Sequence, residues 1–198
     1  MIDDGSVDRT SEVVVNYQNQ FFREPITLKR NNRTLGLARN YIDVAFLGKG
    51  EYYILVSGDN SESKENLRGI ISKSGKADII ISYLKNDNRI ILRKYLSKVF
   101  VWIINILSGH HLKYYNGPTL HRRSNVLRWH PNTYGFAFQA ELITNLLNEG
   151  FSYIEVPITA FDRESGSSNA FNLLNILSVL HSLLEILFRR MRRTIFKV

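Results

Sequence analysis

A chain of 198 residues with 44% hydrophobic side chains can pack one ordinary domain, which excludes a disordered polymer. It has no cysteine, which excludes a disulfide framework and any cysteine-ligated zinc or iron–sulfur centre. The formal charge of +8 is uneven: acids prevail near the N-terminus, whereas Arg189, Arg190, Arg192, Arg193 and Lys197 crowd the last ten residues and favour phosphate-bearing partners.

Residues 1–10 place Asp3 and Asp4 ahead of a Gly5-Ser6 turn. Beyond the carboxyl end of a strand in an open α/β sheet, such acids can accept hydrogen bonds from a nucleotide's ribose or base; an acidic surface turn is the alternative. A helix is expected over 9–20, a strand over 26–29, a helix over 34–47 and a strand over 52–56. The last of these leads into Ser57-Gly58-Asp59-Asn60. A carboxylate there can hold a hard divalent cation against a diphosphate, and Gly58 lets a ligand approach the backbone. A plain turn accounts for the same residues.

A helix over 63–73, a strand over 78–83 and a helix over 89–108 follow. The third has a basic start (Arg89, Arg93, Lys94, Lys98) and an apolar second half too short to span a bilayer unaided. Arg93 and Ser97, four apart, share a face that can bind an anion or be simply solvated. His110, His111 and His121 read as loop or surface residues, and the pairs Tyr52/Tyr53 and Phe136/Phe138 as packing. A helix over 136–148 and a strand over 151–158 precede Arg163 and a Gly166-Ser167-Ser168 run, a guanidinium with backbone donors suited to a phosphate. The final helix, 171–188 and on to 193, spaces Asn172, Asn175, Ser178, His181, Ser182 and Glu185 opposite a wide apolar face. It either lies in a membrane interface with its arginines on anionic headgroups or packs on the core. The alternation of strands and helices predicts an α/β domain with a mainly parallel sheet.

Taken in order, Asp-Asp-Gly-Ser-x-Asp-x-Thr (3–10), Asn32-Arg33-x-x-Gly36-x-Ala38, Ser57-Gly58-Asp59, Arg93-x-x-x-Ser97, Tyr115-Asn116-Gly117, Gly135-Phe136-x-Phe138-Gln139-x-Glu141-Leu142 and Glu155-Val156-Pro157-Ile158 with Arg163-x-x-Gly166-x-Ser168 resemble family 2 glycosyltransferases. The branch they look most like is the dolichol-phosphate mannose synthases with the bacterial polyprenyl-phosphate glycosyltransferases. The resemblance implies a GT-A fold, a Rossmann-like mixed sheet flanked by helices, that moves a hexose from a GDP- or UDP-linked donor to a polyprenyl phosphate or other membrane-proximal acceptor. It further implies nucleotide binding by Asp3, Asp4, Gly5, Ser57 and Gly58, and a Mg²⁺ or Mn²⁺ ion on Asp59. The acceptor phosphate would lie on Arg93, Ser97, Arg163 and Ser168, with Asp59, Arg93 and Arg163 carrying the reaction.

Three departures qualify that expectation. Ser57 stands where the metal motif has its first acid, so the ion would bind weakly; Asn116 stands where relatives carry an acid; and the family's first strand, with its Pro-x-Tyr-Asn-Glu-like loop, has no counterpart in these residues. The expected organisation is therefore an N-terminally truncated GT-A domain over 1–168 and an amphipathic, basic membrane-interface segment over 169–198, placed on the cytoplasmic face of a membrane. A non-catalytic membrane-binding or interaction module derived from the same fold is the alternative. Tyr114, Tyr115 and Trp129 lie near basic residues, but no nucleic-acid motif accompanies them, and no nucleic-acid partner is expected.

Overall fold

A computed structural model describes residues 1–21, 26–129, 135, 137–160 and 173–196. Most helices and strands fall where the apolar spacing predicts them. In chain order they are β1 (Ile2–Asp3), α1 (Thr10–Gln20), β2 (Lys29–Arg30), α2 (Leu37–Leu47), β3 (Tyr52–Ile54), α3 (Lys64–Ile71) and β4 (Ile79–Asp87). Then come α4 (Ile91–Ser108), β5 (Thr119–Arg122), α5 (Arg123–Arg128), α6 (Phe138–Asn148), β6 (Tyr153–Ala160) and α7 (Leu173–Phe196). β1 and β2 pair in parallel, apart from a second sheet of order β3-β5-β4-β6.

The larger sheet is mixed, not mainly parallel. β6 runs parallel to β4, but β5, which the residue pattern did not mark as a strand, inserts antiparallel between β3 and β4. The preceding turn is fixed by packing. A β-carbon on Gly117 would overlap Ser82 Oγ, and the Gln139 amide donates to the Gly117 carbonyl and to Thr119 Oγ1. His121, expected in a loop or at the surface, is instead a fully buried residue of this central strand.

Period-two alternation sends successive β4 side chains to opposite faces. Ile79 and Ile81 join Tyr53, Ile104, Val126, Leu142, Ile143 and Ile186 on one side, and Ile80 joins Leu120, Val156, Ile158 and Ile70 on the other. α3 is pinned over the second face: Ser63 Oγ caps its start by accepting from Asn66 N–H, and the Asn66 amide bonds both N–H and C=O of Thr159 in β6.

α7 packs on α4 and α6 through a mixed face that buries Ile186 beside polar groups. Ser182 is fully buried, and Arg189 donates to Glu141 Oε1 at 2.9 Å and to Asn145 Oδ1 at 2.9 Å. Arg190 donates to the Ile106 carbonyl at 2.5 Å, an acceptor at the open end of α4. Two of the arginines counted with the phosphate-seeking tail therefore hold the helix to the protein.

Because β3, β4 and β6 all run antiparallel to β5 or parallel to one that does, their carboxyl ends share one edge of the sheet. That edge carries the segment after β3, with Ser57 to Asp59, and the segment after β4, which opens α4. β3 and β4 are two strand positions apart, about 10 Å.

Candidate functional site

Asp3 closes β1 and is buried. Its Oδ1 accepts from Ser6 N–H at 2.8 Å and its Oδ2 from the Ser11 hydroxyl, with Arg30 Nε 3.7 Å away. The Ser11 and Ser6 bonds favour the carboxylate and pull its pKa down to about 2. Asp4 reaches across to the loop ahead of α2, accepting from Asn31 Nδ2 at 2.8 Å, Leu35 N–H at 2.8 Å and Gly36 N–H at 2.9 Å. Burial alone would raise its pKa, but the donors from Leu35, Asn40, Asn31 and Gly36 hold it below the ordinary value. These bonds explain why α2 starts at Leu37 and not near Thr34: a carboxylate satisfies N–H groups at the helix start, where the dipole also favours it. The two acids that head the sequence thus form the joint between β1 and α2.

Gly5 is required at this joint. Its φ is +80°, and a β-carbon there would lie 2.9 Å from the Arg33 carbonyl carbon. Gly58, by contrast, has open space where a β-carbon would go.

Between the joint and β3 lies a cleft of about 530 Å³, lined by Met1, Ile2, Leu37, Asn40, Tyr41, Val44 and residues 53–59. It brings Ser57, Gly58 and Asp59 together with Asn40, whose Oδ1 accepts from the same Asn31 amide that holds Asp4. Two walls of the cleft are open strand edges. Met1 and Asp3 turn their carbonyls to Lys29 and Asn31 of the β2 side, so the backbone groups of Ile2 point the other way. In β3 the Glu51 carbonyl accepts from Arg123 N–H, and the alternation along an antiparallel pair leaves Ile54 N–H and C=O directed away from β5.

Asp59 is exposed at the mouth, with Oδ1 accepting from Ser61 N–H at 3.2 Å. Glu62, which belongs to none of the sequence motifs, stands close enough to sense it: burial first, and then the Asp59 charge, raise the Glu62 pKa. A divalent cation relieves that kind of like-charge repulsion, and the oxygen-only donors suit Mg²⁺ or Mn²⁺. No group of three ligating side chains gathers among the described residues. The set fits a weak protein site that depends on phosphate oxygens from a ligand.

The second half of the shared edge is basic. Arg93 and Ser97 lie on one face of α4 as their spacing predicts, and Arg89, which precedes the helix because it starts at Ile91 and not at 89, organises that face. Arg89 makes a bidentate pair with Asp87, Nε to Oδ1 and Nη2 to Oδ2 at 2.8 Å each, and donates to Ser97 Oγ at 3.2 Å and Tyr114 Oη at 3.4 Å. The Asp87 bonds, above all, raise the already high Arg89 pKa, and the Arg89 bonds lower that of Asp87. With a side chain only 13% exposed, Arg89 is a fixed cation. The signal for it was present as the spacing 89, 93, 97 behind an acid at 87. Arg93 and Ser97 do not line the cleft that holds Asp59; the two groups sit at neighbouring stations of one sheet edge. Arg163 and Ser168 lie outside the described residues.

The family model described as glycosyl transferase family 2 matches residues 1–132. The chain is a member of that family. The family 2 domain is also similar to solved structures. One, a mycobacterial protein, has 14% identity and a TM-score of 0.69 over 93% of this chain and 63% of that one. Another, glucosyl-3-phosphoglycerate synthase from Mycobacterium tuberculosis with UDP, has 12% identity and a TM-score of 0.67 over 94% of this chain and 67% of that one. The same synthase with Mn²⁺, UDP-glucose and glycerol 3-phosphate gives 11% identity and 0.66, over 93% and 67%. The likeness establishes a GT-A fold for the family 2 domain, which spans about two-thirds of the length of these structures.

Proposed function

We propose that this family 2 domain moves a hexosyl group from a GDP- or UDP-linked sugar to a phosphorylated acceptor, in the narrower form a polyprenyl phosphate. The observation that carries the reading is the division of one sheet edge into an acidic station after β3, Asp59 with Glu62, and a basic station after β4, Arg89 with Arg93 and Ser97. A nucleotide sugar needs the first and an acceptor phosphate the second. The similar synthase, which was solved with Mn²⁺, UDP-glucose and glycerol 3-phosphate, supports this pairing of a nucleotide sugar with a phosphorylated ligand.

In the reaction the bond between the sugar's anomeric carbon and the donor diphosphate breaks, a nucleoside diphosphate leaves, and an acceptor phosphate oxygen forms the new bond to that carbon. The acceptor is already anionic near neutral pH, so no strong general base is needed. Asn40 and the open backbone of Ile2 and Ile54 offer polar contacts to the donor, while Asp4 and Gly5 fix the β1–α2 joint on which that wall depends. Arg89 holds Ser97 in place, and Arg93 and Ser97 orient the acceptor phosphate, so that catalysis is mostly positioning. A Mg²⁺ or Mn²⁺ ion on Asp59 would stabilise the charge of the departing diphosphate. Ser57, in place of an acid, favours a second reading in which the domain binds these ligands without turnover.

The test is transfer of radiolabelled hexose from UDP-glucose or GDP-mannose, with Mn²⁺, to a short-chain polyprenyl phosphate or to glycerol 3-phosphate. Label in the organic phase supports the narrower reading, and label on glycerol 3-phosphate moves the acceptor to a soluble phosphate. Donor binding without transfer or hydrolysis establishes the non-catalytic reading.

A further inference from the structure

We infer that α4 and α7 together form a docking surface for an anionic lipid membrane, an extension of the lipid-acceptor reading that is tested here without turnover. α7 turns inward a face that mixes Ser182, Glu185 and Arg189 with Ile186 and Leu183. Ser182 is buried, and its acid in this stretch, Glu185, faces Arg189, 3.9 Å away. The opposite side presents Leu177, Leu180, Leu184, Phe188, Met191 and Ile195, three or four apart and each 46–65% exposed. α4 adds Tyr95, Trp102 and Ile106, also more than half exposed. The two stripes adjoin where Arg190 of α7 bonds the Ile106 carbonyl. A contiguous apolar surface of this extent marks an interaction site.

Charge selects the occupant. Arg192 and Arg193, beside the α7 stripe, are exposed and have no partner among the described residues, and Lys98 is exposed on α4. The outward side of α7 from 176 to 196 thus carries apolar and cationic residues with His181 and Thr194 among them and no acid, a composition that suits an anionic interface. Trp102 and Tyr95 suit the headgroup level. No helix among the described residues is long and apolar enough to cross a membrane, so the surface lies on the lipid. Arg189 and Arg190 are committed to Glu141, Asn145 and Ile106, which leaves Arg192 and Arg193 for the headgroups. α4 carries Arg93 and Ser97 on its half-buried face, a helix diameter of about 10 Å from the membrane side.

The experiment is co-sedimentation of the full chain with vesicles of phosphatidylcholine, alone or mixed with phosphatidylglycerol. Binding is expected to the anionic vesicles only and to weaken with salt. The pair R192Q/R193Q should lower the partition coefficient about 30-fold, about 1 kcal/mol for each arginine. L184Q should also lower it, and K76Q, on a distant loop, should leave it unchanged. R189Q should lower the thermal midpoint without a matching loss of vesicle affinity. Equal binding to neutral vesicles, no binding by the folded protein, or a dimer that L184Q dissociates would each overturn the proposal. Sugar transfer measured in parallel separates the two readings, because loss of either readout leaves the other standing.

Discussion

His121 allows a quantitative test of how the sheet is built. It sits in the central strand β5, fully buried, and neither ring nitrogen has a hydrogen-bond partner among the described residues. Burial pushes its pKa down to about 3. The unfolded chain binds a proton at this ring below about pH 6.5, whereas the folded chain does not. Its effect on stability is therefore absent above that pH and grows unfavourable as the pH falls toward the folded value, by about 1.36 kcal/mol per unit. At pH 4.5, two units below the unfolded value, the loss is roughly 2.7 kcal/mol. Replacing His121 with Leu removes this loss together with two unpaired buried nitrogens, each of which costs about 1–3 kcal/mol. Carboxylates weaken both proteins in acid, so the quantity to read is the difference between them in urea unfolding at pH 7 and pH 4.5. His121→Leu is expected to match or exceed the parent at pH 7, and its advantage should grow by roughly 2.7 kcal/mol at pH 4.5. Equal pH slopes for the two proteins, or a ring titrating near pH 6.5 by NMR in the folded state, would refute the reasoning.

Gly5→Ala places a β-carbon against the Arg33 carbonyl at a φ of +80° and should cost at least about 1–2 kcal/mol, read as a lower thermal midpoint with weakened donor binding. Asp59→Asn should weaken Mn²⁺-dependent binding of a nucleoside diphosphate and, by removing a neighbouring charge, lower the Glu62 pKa; superimposable titrations would remove Asp59 from the metal site. Arg89→Lys loses the bidentate pair with Asp87 and the bond to Ser97, so inorganic phosphate affinity should fall, with an unchanged affinity assigning Arg89 to stability alone. Asp4→Asn replaces a carboxylate whose folded pKa is depressed. The parent loses that contribution as the pH drops below the unfolded value of about 3.9, and the variant should lack that part of the acid transition in a pH-melting series.

Periodicity revealed most elements because β4 and α6 bury clear apolar patterns, and the family motifs marked the sheet edge. β5 escaped because Thr-Leu-His-Arg is only four residues long, carries two ionisable side chains, and is a strand by virtue of the neighbours on both sides. For α7 the sequence marks two stripes but not which one faces the protein; that depends on Glu141, 48 positions away, receiving Arg189. Asp3 and Asp4 were legible as residues at a strand end, while their use in bonding Ser11, Leu35 and Gly36 depended on how the next loop folds back. Arg89 looked like one of several helix-start cations until Asp87 supplied the pair that fixes it.

The open edges of β1 and β3 change how the cleft responds to mutation. Each strand there is two or three residues long, and the N–H and C=O of Ile2 on one wall and of Ile54 on the other turn toward the gap. Every residue type carries both groups, save that proline lacks the N–H, so what they recognise is written in the main chain and survives most side-chain exchange. Alanine scanning of this wall would register Tyr41 and Leu37 through packing and pass over the donors themselves. Ile54→Pro deletes one donor outright, and an amide-to-ester exchange at the same bond does so without changing the side chain. A ligand held by these edges would respond to those two changes and ignore Ile54→Val, a tolerance that leaves the cleft's side chains free to diverge while its hydrogen-bonding frame stays constant.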